Sequence, residues 1–355
     1  MPEPIRIDLY SDTQTRPTAG MRAAMAGAEV GDEQHGEDPS VNRLCEMAAA
    51  LLGKQAAVFL PSGTMCNAIA ILVHCEPGDE IICDRIAHIF STEAGGAAAL
   101  AGAQILPLDG ERGMFSAAQV EAALRPVKRN APRSRLVEIE QTVNRGSGCV
   151  WPLPRIAAVE AAARRHDLLM HMDGARLMNA VVATGVSAAA YSSHFDSVWL
   201  DLSKGLGCPV GGVLAGPAPF IEKAWRWKHR LGGAMRQAGV LAAAGVYALE
   251  RHVTRLADDH ANARRFAERV ARIPGVALDP ASVETNIVIF DVSGTGRRAI
   301  DLRAALLGQG IRIGAESDGR MRAVTHHDVG EEGVLEAAQR LAADRKSTRL
   351  NSSHQ

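Results

Sequence analysis

Three short segments of this sequence each place a chemically useful side chain beside a turn of small residues. Pro61-Ser-Gly-Thr64 follows an apolar run and precedes a helix-like segment, so its backbone N–H groups and the Thr64 hydroxyl are suited to bind a phosphate. Asp173 ends a second apolar run, and Lys204 lies in a glycine-rich turn after a third. A carboxylate and an amine placed in this way suit pyridoxal phosphate, because the carboxylate keeps the pyridine nitrogen protonated and the amine forms a Schiff base.

Each of these signals also has an ordinary structural explanation. A Gly-Thr pair after a strand is more often a turn and helix cap, an aspartate at a strand end often caps a loop, and most lysines are solvated. The order of phosphate-binding turn, aspartate and lysine is more specific than any one of them, and it favours the cofactor site.

The hydropathy pattern predicts the elements that position these residues. Short apolar runs alternate with helix-like segments over the first two-thirds of the chain, which predicts a doubly wound α/β domain with a mostly parallel sheet. In such sheets ligands bind beyond the carboxyl ends of the strands. A long helical stretch over 237–273 then leads to a smaller α+β domain. The predicted strands are 56–60, 80–83, 104–108, 135–139, 168–172, 197–200, 212–215, 285–291, 311–313 and 321–325.

The predicted organisation is an N-terminal arm (1–20), a large cofactor-binding domain (21–245) and a small C-terminal domain (246–345). Residues 346–355 break the preceding helical pattern and resemble a translated adapter sequence, so we expect a frayed, non-native tail there.

The composition is that of a globular protein and excludes several kinds of partner. The chain has 355 residues, of which 47% are hydrophobic and 22% charged. Lys plus Arg number 39 and Asp plus Glu 40, and this balance argues against nucleic acid or an anionic membrane. The six cysteines have no zinc-like spacing, so no metal is expected. Without a signal-peptide pattern or a membrane-spanning stretch, the expected location is the cytoplasm.

Seven segments are similar to motifs of the low-specificity threonine aldolases and occur in that family's order. The resemblance extends over residues 6–343. It implies a fold type I (aspartate aminotransferase-like) enzyme that uses pyridoxal phosphate to cleave L-threonine, L-allo-threonine and related β-hydroxy-α-amino acids reversibly to glycine and an aldehyde. The segments are IDLYSDTQTRP (7–17), GDEQHGEDP (31–39), AHIFSTEAGG (87–96), HMDGAR (171–176), SKGLG (203–207), GGAMRQ (232–237) and VTH (324–326).

The resemblance implies which residues bind the cofactor. Lys204 corresponds to the Schiff-base lysine, and Asp173 to the partner of the pyridine nitrogen. Arg176 is implied to lie near the phenolic oxygen of the cofactor, and Gly63 and Thr64 near its phosphate.

The same resemblance implies the residues that act on the substrate. Ser11 and Arg322 are expected to bind the substrate carboxylate, the arginine by two parallel hydrogen bonds. His88 is expected to stack on the pyridine ring close to the β-hydroxyl group. A histidine there has a pKa suited to a general base.

Two further residues are implied to act across a subunit interface. Arg236 corresponds to an arginine that reaches the phosphate of a neighbouring subunit. His35 stands where many relatives have a tyrosine, and it either supplies a proton acceptor or only fills the tyrosine's space. A homodimer or homotetramer with shared sites is therefore expected.

Residue 143 departs from the family pattern. Many members have a histidine in an Asn-Thr-His-Asn segment, whereas this sequence reads Glu140-Gln-Thr-Val-Asn144. Valine neither accepts a proton nor donates a hydrogen bond. The general base is then His88, a bound water or another residue, and selectivity at the β-carbon stays open.

Two alternatives to a threonine-cleaving aldolase follow from this departure. One is an aldolase for bulkier β-hydroxy amino acids, and the other is a β-eliminating lyase that uses the same cofactor. A non-catalytic binding protein of the same fold is disfavoured, because such a protein has no need of Lys204, Asp173 and Arg322 together.

Overall fold

The structure is a computed structural model that describes residues 4–352, with side chains described as far as residue 343. The described chain forms two compact units. The smaller unit contains residues 4–16, 147–149 and 254–352, and the larger contains Pro17–Gly146 and Val150–Val253. The predicted boundary at 245/246 lies inside a helix of the larger unit, and the unit boundary itself falls at 253/254.

The elements of the described chain are as follows. The strands are β1 Ile7–Leu9, β2 Ala56–Leu60, β3 Glu80–Asp84, β4 Gln104–Leu108, β5 Ser134–Glu140, β6 Leu169–Gly174, β7 Ser197–Asp201, β8 Gly212–Gly216, β9 Ile287–Asp291, β10 Ile311–Ala315 and β11 Arg320–Val324. The helices are α1 Ala19–Ala26, α2 Pro39–Leu52, α3 Gly63–His74, α4 His88–Ser91, α5 Gly96–Ala101, α6 Ala117–Ala123, α7 Leu153–Arg165, α8 Leu177–Thr184, α9 Ala188–Ser192, α10 Ala218–Arg230, α11 Gly239–Arg251, α12 Leu256–Val270, α13 Ala299–Leu307 and α14 Glu331–Ser352.

A seven-stranded sheet forms the centre of the larger unit, in the order β2-β8-β7-β6-β5-β3-β4. The strands from β7 to β4 run parallel to one another, whereas β8 runs antiparallel to both β7 and β2. The prediction of a mostly parallel sheet is therefore confirmed. Because six strands share one direction, the carboxyl ends of β2, β3, β4, β5, β6 and β7 lie along one edge, where such sheets bind ligands.

Helices cover both faces of this sheet. In β2, Val58 and Leu60 pack into a cluster with residues of α3 and α10. Phe59 lies between them and points to the opposite face, yet it too is fully buried. Strands buried on both sides read as continuous apolar runs, and for this reason the hydropathy pattern located these strands so closely.

Helix α3 begins at the edge where the strands end. Ser62 caps it by accepting a hydrogen bond from the Met65 backbone N–H at 3.2 Å. Gly63 is required at the first position, because a Cβ there would lie 2.2 Å from the Trp199 ring. Asn67 follows one turn later, so it projects from the same side of the helix as Gly63.

The single helical stretch predicted over 237–273 is wrong in one respect, because it consists of two helices. Helix α11 packs on α1 and α2 in the larger unit, and α12 packs on α14 in the smaller unit. The chain turns between them at His252, a buried residue whose Nδ1 lies 2.7 Å from the Leu206 carbonyl oxygen and donates to it. That hydrogen bond gives the polar side chain a partner at the point where α11 stops.

The smaller unit has a four-stranded sheet in the order β1-β10-β11-β9. The N-terminal strand β1 pairs in parallel with β10, with Ile7 opposite Ile311. Phe266 of α12, Phe290 of β9 and Val334 of α14 pack into one core with these strands. A smaller α+β unit is thus present, as predicted, and the N-terminal segment supplies its edge strand.

The C-terminal segment predicted to fray continues as helix as far as Ser352, the last residue of α14. The remaining three residues of that predicted tail, 353–355, lie outside the described residues. Across the part of the chain that the structure describes, no helix is long and apolar enough to span a membrane.

Candidate active site

Asp173 stands at the carboxyl end of β6, between the neighbouring strands β5 and β7. Its side chain is buried, and the residue is 1% exposed. Oδ1 accepts a hydrogen bond from the Ala175 backbone N–H at 3.0 Å, and Oδ2 accepts one from Nδ2 of Asn67 at 2.8 Å. Both oxygens therefore act as acceptors, as those of a carboxylate do.

Asn67 links this aspartate to a second buried acid. The same Nδ2 that contacts Asp173 lies 2.7 Å from Oε1 of Glu93. On its other side, Oδ1 of Asn67 accepts a hydrogen bond from the Trp199 indole Nε1 at 2.7 Å. Ligand atoms of His88, Glu93 and Asp173 lie within 4.8 Å of one another, so the two acids and the histidine form one polar cluster around Asn67.

His88 lies at the start of α4, immediately after the loop that follows β3. Its Nδ1 is 2.7 Å from Oε1 of Glu93, and its backbone N–H donates to Oε2 of Glu140 at 2.9 Å. The hydrogen bond to Glu93 raises the pKa of His88, and the nearby Asp173 carboxylate adds to the effect. Burial opposes this shift only in part, because the ring remains 31% exposed.

Lys204 follows the end of β7 and contacts an acid from that strand. Its Nζ lies 2.6 Å from Oδ2 of Asp201 and 5.6 Å from the centre of the Trp199 ring. The indole that contacts Asn67 is therefore also next to the lysine. Lys204 and Asp173 thus lie at the ends of adjacent strands. Trp199 lies next to Lys204 and also contacts Asn67, the hydrogen-bond partner of Asp173.

Gly63 and Thr64 form the first turn of α3. Gly63 packs against the Trp199 ring, and Thr64 is exposed. The first N–H groups of a helix have no partner within the helix and attract anions, which suits a phosphate at this twelve-residue helix.

Arg176 and Val143 lie near the loop that follows β5. Arg176 is 5% exposed, and its Nη1 donates to Oδ1 of Asn144 at 3.3 Å. Val143 is 1% exposed and packs against Gly113, where a Cβ would meet its Cγ1 at 2.5 Å. The apolar side chain of Val143 is thus part of the packed interior of this loop.

Arg236 and His35 are held in a second cluster of the larger unit. Nη1 of Arg236 lies 2.7 Å from Oδ2 of Asp32, and the Arg236 carbonyl accepts the Glu33 backbone N–H at 3.1 Å. Oε2 of Glu33 accepts a hydrogen bond from Nζ of Lys228 at 2.8 Å, and both of these side chains are fully buried. Arg236 and His35 themselves are exposed, so a buried ion pair anchors a pair of surface side chains.

Ser11 and Arg322 belong to the smaller unit, where they lie close together. Nη1 of Arg322 donates to the carbonyl of Tyr10, the residue before Ser11, at 3.4 Å. Ser11 is 8% exposed, and its Oγ accepts the Thr13 backbone N–H at 3.2 Å. The two residues predicted to bind a carboxylate thus come from β11 and from the loop after β1.

Sequence reasoning missed the side chains that connect the predicted residues, namely Asn67, Glu93, Glu140 and Trp199. Asn67 carries a detectable signal, because it lies one helical turn after Gly63. Glu93 follows His88 within the same motif, and Glu140 precedes the divergent segment. None of these four residue types is unusual at its place in the sequence, and only the packing of α3 on the sheet brings the four side chains together.

The residues present fit pyridoxal phosphate. A phosphate, an aldehyde and a basic ring nitrogen require an anion-binding helix start, an amine and a carboxylate. Groups of these three types are present at Gly63 in the first turn of α3, at Lys204 after β7 and at Asp173 at the end of the adjacent strand β6. The buried carboxylate at the carboxyl end of a central strand is the strongest of the three signals, because burying a charge is costly unless it is paired and hydrogen-bonded.

The fold and these residues define a pyridoxal-phosphate-dependent enzyme of fold type I. A sequence model of the beta-eliminating lyase family matches residues 8–293. The low-specificity L-threonine aldolase of Escherichia coli K12 is 40% identical over 336 residues, which are 94% of this chain and 97% of the relative. The low-specificity L-threonine aldolase 1 of Arabidopsis thaliana is 41% identical over 328 residues, covering 91% and 92%. The chain belongs to the family of low-specificity L-threonine aldolases.

Two solved structures agree with this fold. Leishmania major threonine aldolase superposes with a TM-score of 0.81 at 18% identity, covering 96% of this chain and 99% of that one. The aspartate aminotransferase of Rhizobium meliloti gives a TM-score of 0.71 at 16% identity, covering 97% and 92%. At such low identities, the agreement concerns the fold alone.

Proposed function

We propose that this protein, with pyridoxal phosphate bound, cleaves β-hydroxy-α-amino acids of the threonine type to glycine and an aldehyde. The observation that carries the proposal is the set of contacts from Asp173 through Asn67 and Glu93 to His88, at the strand ends next to Lys204. A buried carboxylate, a histidine of raised pKa and an amine are the groups that this reaction needs. The names of the relatives that match along nearly the whole chain agree with it.

The cofactor supplies, when bound, a protonated ring that stabilises the charge left on Cα when the Cα–Cβ bond breaks. Lys204 would hold it through its amine, Asp173 would keep a proton on the ring nitrogen, and Arg176 would bind on the side of the phenolic oxygen. Gly63 and Thr64 at the start of α3 would bind the phosphate.

His88 removes the proton of the substrate β-hydroxyl group. Because the Glu93 carboxylate accepts the hydrogen on Nδ1, Nε2 is the nitrogen that receives the proton. The raised pKa of His88 means that the ring must lose a proton before it can act, so activity falls on the acid side of that pKa. A positioned base of this kind contributes roughly 10²- to 10⁴-fold to the rate.

Ser11 and Arg322 bind the substrate carboxylate. The contact between Arg322 and the Tyr10 carbonyl supports this proposal, because it holds the guanidinium next to Ser11. A bidentate contact fixes the orientation of the Cα–Cβ bond as well as contributing affinity. Arg322→Lys keeps the charge but loses the planar pair of donors, so it should raise KM for the amino acid far more than it weakens cofactor binding.

We also propose a homodimer, or a tetramer of dimers, in which Arg236 and His35 serve the site of the neighbouring subunit. Their exposure, and their anchoring by the buried Glu33–Lys228 pair, support this role. Mixing inactive Arg236→Ala and Lys204→Ala subunits tests it, because each mixed dimer regains one intact site. Random mixing should restore about a quarter of the wild-type activity. A complete lack of recovery in dimers shown to have exchanged subunits would contradict shared sites.

His35 has two candidate roles within this arrangement, and one variant separates them. His35→Phe keeps the ring volume and removes both nitrogens. A retro-aldol rate that falls in His35→Phe indicates a proton acceptor, and an unchanged rate indicates a space-filling residue.

We also propose that the protein is cytoplasmic, and subcellular fractionation tests this location.

Product analysis tests the function itself. The cofactor-loaded protein is incubated in parallel with L-threonine, L-allo-threonine, D-threonine and L-phenylserine. The proposal expects glycine together with acetaldehyde or benzaldehyde from the L substrates. Bound cofactor without release of any aldehyde would contradict it.

The second candidate is β-elimination, and the side chain at residue 143 favours it. Val143 is buried and apolar at the position where the resemblance implies a histidine in many family members, so this chain lacks one group able to contact a β-hydroxyl. Pyruvate and ammonia from serine or cysteine, in place of glycine and an aldehyde, would establish this alternative.

A further inference from the structure

We propose that Asn67 is a positioning residue that donates one amide hydrogen to Asp173 and the other to Glu93. It thereby fixes the position of Asp173, which would pair with the cofactor ring, relative to that of Glu93, which pairs with His88. The inference rests on the proposed function, in which Asp173 acts on the ring nitrogen and His88 on the substrate hydroxyl. Asn67 itself touches neither substrate nor the reacting atoms in that scheme.

The orientation of the Asn67 amide follows from the chemistry of its neighbours. The Trp199 Nε1–H can only donate, so the amide atom that faces it must be the carbonyl oxygen. The nitrogen then faces the two carboxylates, at 2.8 Å from Asp173 and 2.7 Å from Glu93. An amide nitrogen carries two hydrogens, so each carboxylate receives one.

The buried histidines behind Asn67 reinforce the same orientation. Nε2 of His171 lies 3.1 Å from Oδ1 of Asn67 and must donate to it, so Nδ1 of His171 is an acceptor and takes the hydroxyl hydrogen of Ser197 at 2.8 Å. Ser197 Oγ is then left to accept from Nε2 of His74 at 2.7 Å. Burial lowers the pKa of both histidines to about 3, so both rings are neutral and this direction of donation is fixed.

The two carboxylates need a donor between them because the site is crowded with acids. Glu140 and Glu138 point from β5 to the same face of the sheet as Asp173, and the ionisable groups that face His88 are Glu93, Asp173 and Glu140. Burial raises the pKa of Glu140 to about 7 and that of Glu138 well above its usual value. Without the amide hydrogens, Asp173 and Glu93 would repel each other in a poorly solvated pocket.

The structure suggests two substitutions that remove these donors. Asn67→Asp preserves the shape and the acceptor that faces Trp199, but it replaces two donated hydrogens by at most one. Asn67→Ser removes both amide hydrogens, adds no charge and leaves one hydroxyl donor on a shorter side chain. In each variant Glu93 becomes a stronger acceptor, so we expect the His88 titration in the cofactor-free protein, followed by NMR, to move upward by roughly one pH unit.

Measurements on the enzyme with bound pyridoxal phosphate provide a second test. We expect kcat to fall while KM for the amino acid changes little, because the residues proposed to bind its carboxylate, Ser11 and Arg322, belong to the smaller unit. The visible absorbance of bound pyridoxal phosphate should also change its pH dependence, since Asp173 is no longer held by Asn67. A merely structural role would lower the melting temperature without moving either titration.

Asn286→Asp is the matched control. Asn286 is also fully buried and also donates an amide hydrogen to a carboxylate, Oδ2 of Asp12 at 3.1 Å, but it lies in the smaller unit. It should destabilise the fold without changing the His88 titration.

The possible outcomes separate this inference from the proposed function. An unchanged His88 titration in folded Asn67→Asp and Asn67→Ser proteins would overturn the role of Asn67, even if the wild-type enzyme cleaves threonine. A shifted titration in a protein that cleaves no β-hydroxy amino acid would keep the role of Asn67 and reject the function.

Discussion

Nδ1 of His88 lies 2.7 Å from Oε1 of Glu93, and this contact decides which nitrogen of the ring is available as a base. The carboxylate can only accept, so Nδ1 carries the hydrogen and Nε2 is left with its lone pair. The pair also raises the pKa of His88, so the same contact that orients the ring delays its deprotonation. Orientation and acidity of the proposed base therefore depend on one side chain.

Replacing this carboxylate should shift the pH dependence of the enzyme. Glu93→Gln removes the largest cause of the raised His88 pKa, so the acid limb of the kcat profile should move to lower pH. The paired state stabilises the fold at pH below about 6.5, and that contribution is lost as the pH rises through the folded-state pKa. Glu93→Gln should therefore lose stability mainly in acid. The measurements are a pH–rate profile and denaturant unfolding at several pH values.

Glu160→Gln is a suitable control, because Glu160 accepts from Nδ1 of His194 at 2.6 Å, away from the proposed site. A Glu160→Gln profile that moves as far as that of Glu93→Gln would show that the effect is not specific to the His88 pair.

Lys204 should be the residue that binds the cofactor covalently. Borohydride reduction of the loaded protein should attach the cofactor to Lys204, as located by peptide mass analysis, and Lys204→Ala should not retain cofactor on gel filtration. Lys54→Ala is the control, since Lys54 is half-buried and donates to the Ser192 and Phe195 carbonyls. Labelling found on Lys54 instead would refute the assignment.

The buried ion pair that anchors Arg236 should dominate the stability of its cluster. Lys228→Met leaves Glu33 buried without its cation, which typically costs about 3–5 kcal/mol. Arg236→Ala breaks only an ion pair in which the arginine is 60% exposed, which is worth about 0–1 kcal/mol. Chemical denaturation of both variants checks this order, and equal losses would contradict it.

Buried neutral histidines should make the protein sensitive to acid. His74 has a folded-state pKa of about 3. Below about pH 6.5 this histidine is therefore protonated in the unfolded chain but stays neutral in the folded protein. Stability therefore falls as the pH falls through that window, by about 1.4 kcal/mol per pH unit for such a histidine. His74→Gln should flatten the slope by that amount, measured by denaturant unfolding between pH 4 and 6.5.

The exposed residue His166 supplies the comparison for this slope. His166→Gln should leave the acid slope of the unfolding free energy as it is in the wild type. If the two substitutions flatten the slope equally, burial of His74 is not its cause.

The parts of this fold that could be predicted from sequence are those encoded by local pattern. The strands predicted over 56–60 and 104–108 are short, mostly apolar runs, and the structure has both at the predicted positions. The antiparallel direction of β8 and the pairing of β1 with β10 depend on contacts between distant segments. No local pattern carries that information.

The candidate site shows the same division. The positions of Asp173 and Lys204 at strand ends were predictable, because each follows an apolar run that forms a strand. Asn67 was not, because an asparagine in a helix is usually explained by solvent exposure, and its importance arises only from what surrounds it in the folded state. Val143 also needed the structure, because its packing against Gly113 could not be inferred from its type.

The Trp199 ring has an optical consequence. It packs on Gly63, binds Asn67 and lies 5.6 Å from the Lys204 amine, which places one of the four indoles of the chain beside the proposed cofactor position. A chromophore that absorbs where indoles emit would quench this tryptophan by energy transfer. The intrinsic fluorescence of the protein should therefore decrease as the cofactor binds, and this chain contains its own reporter for following occupancy in real time.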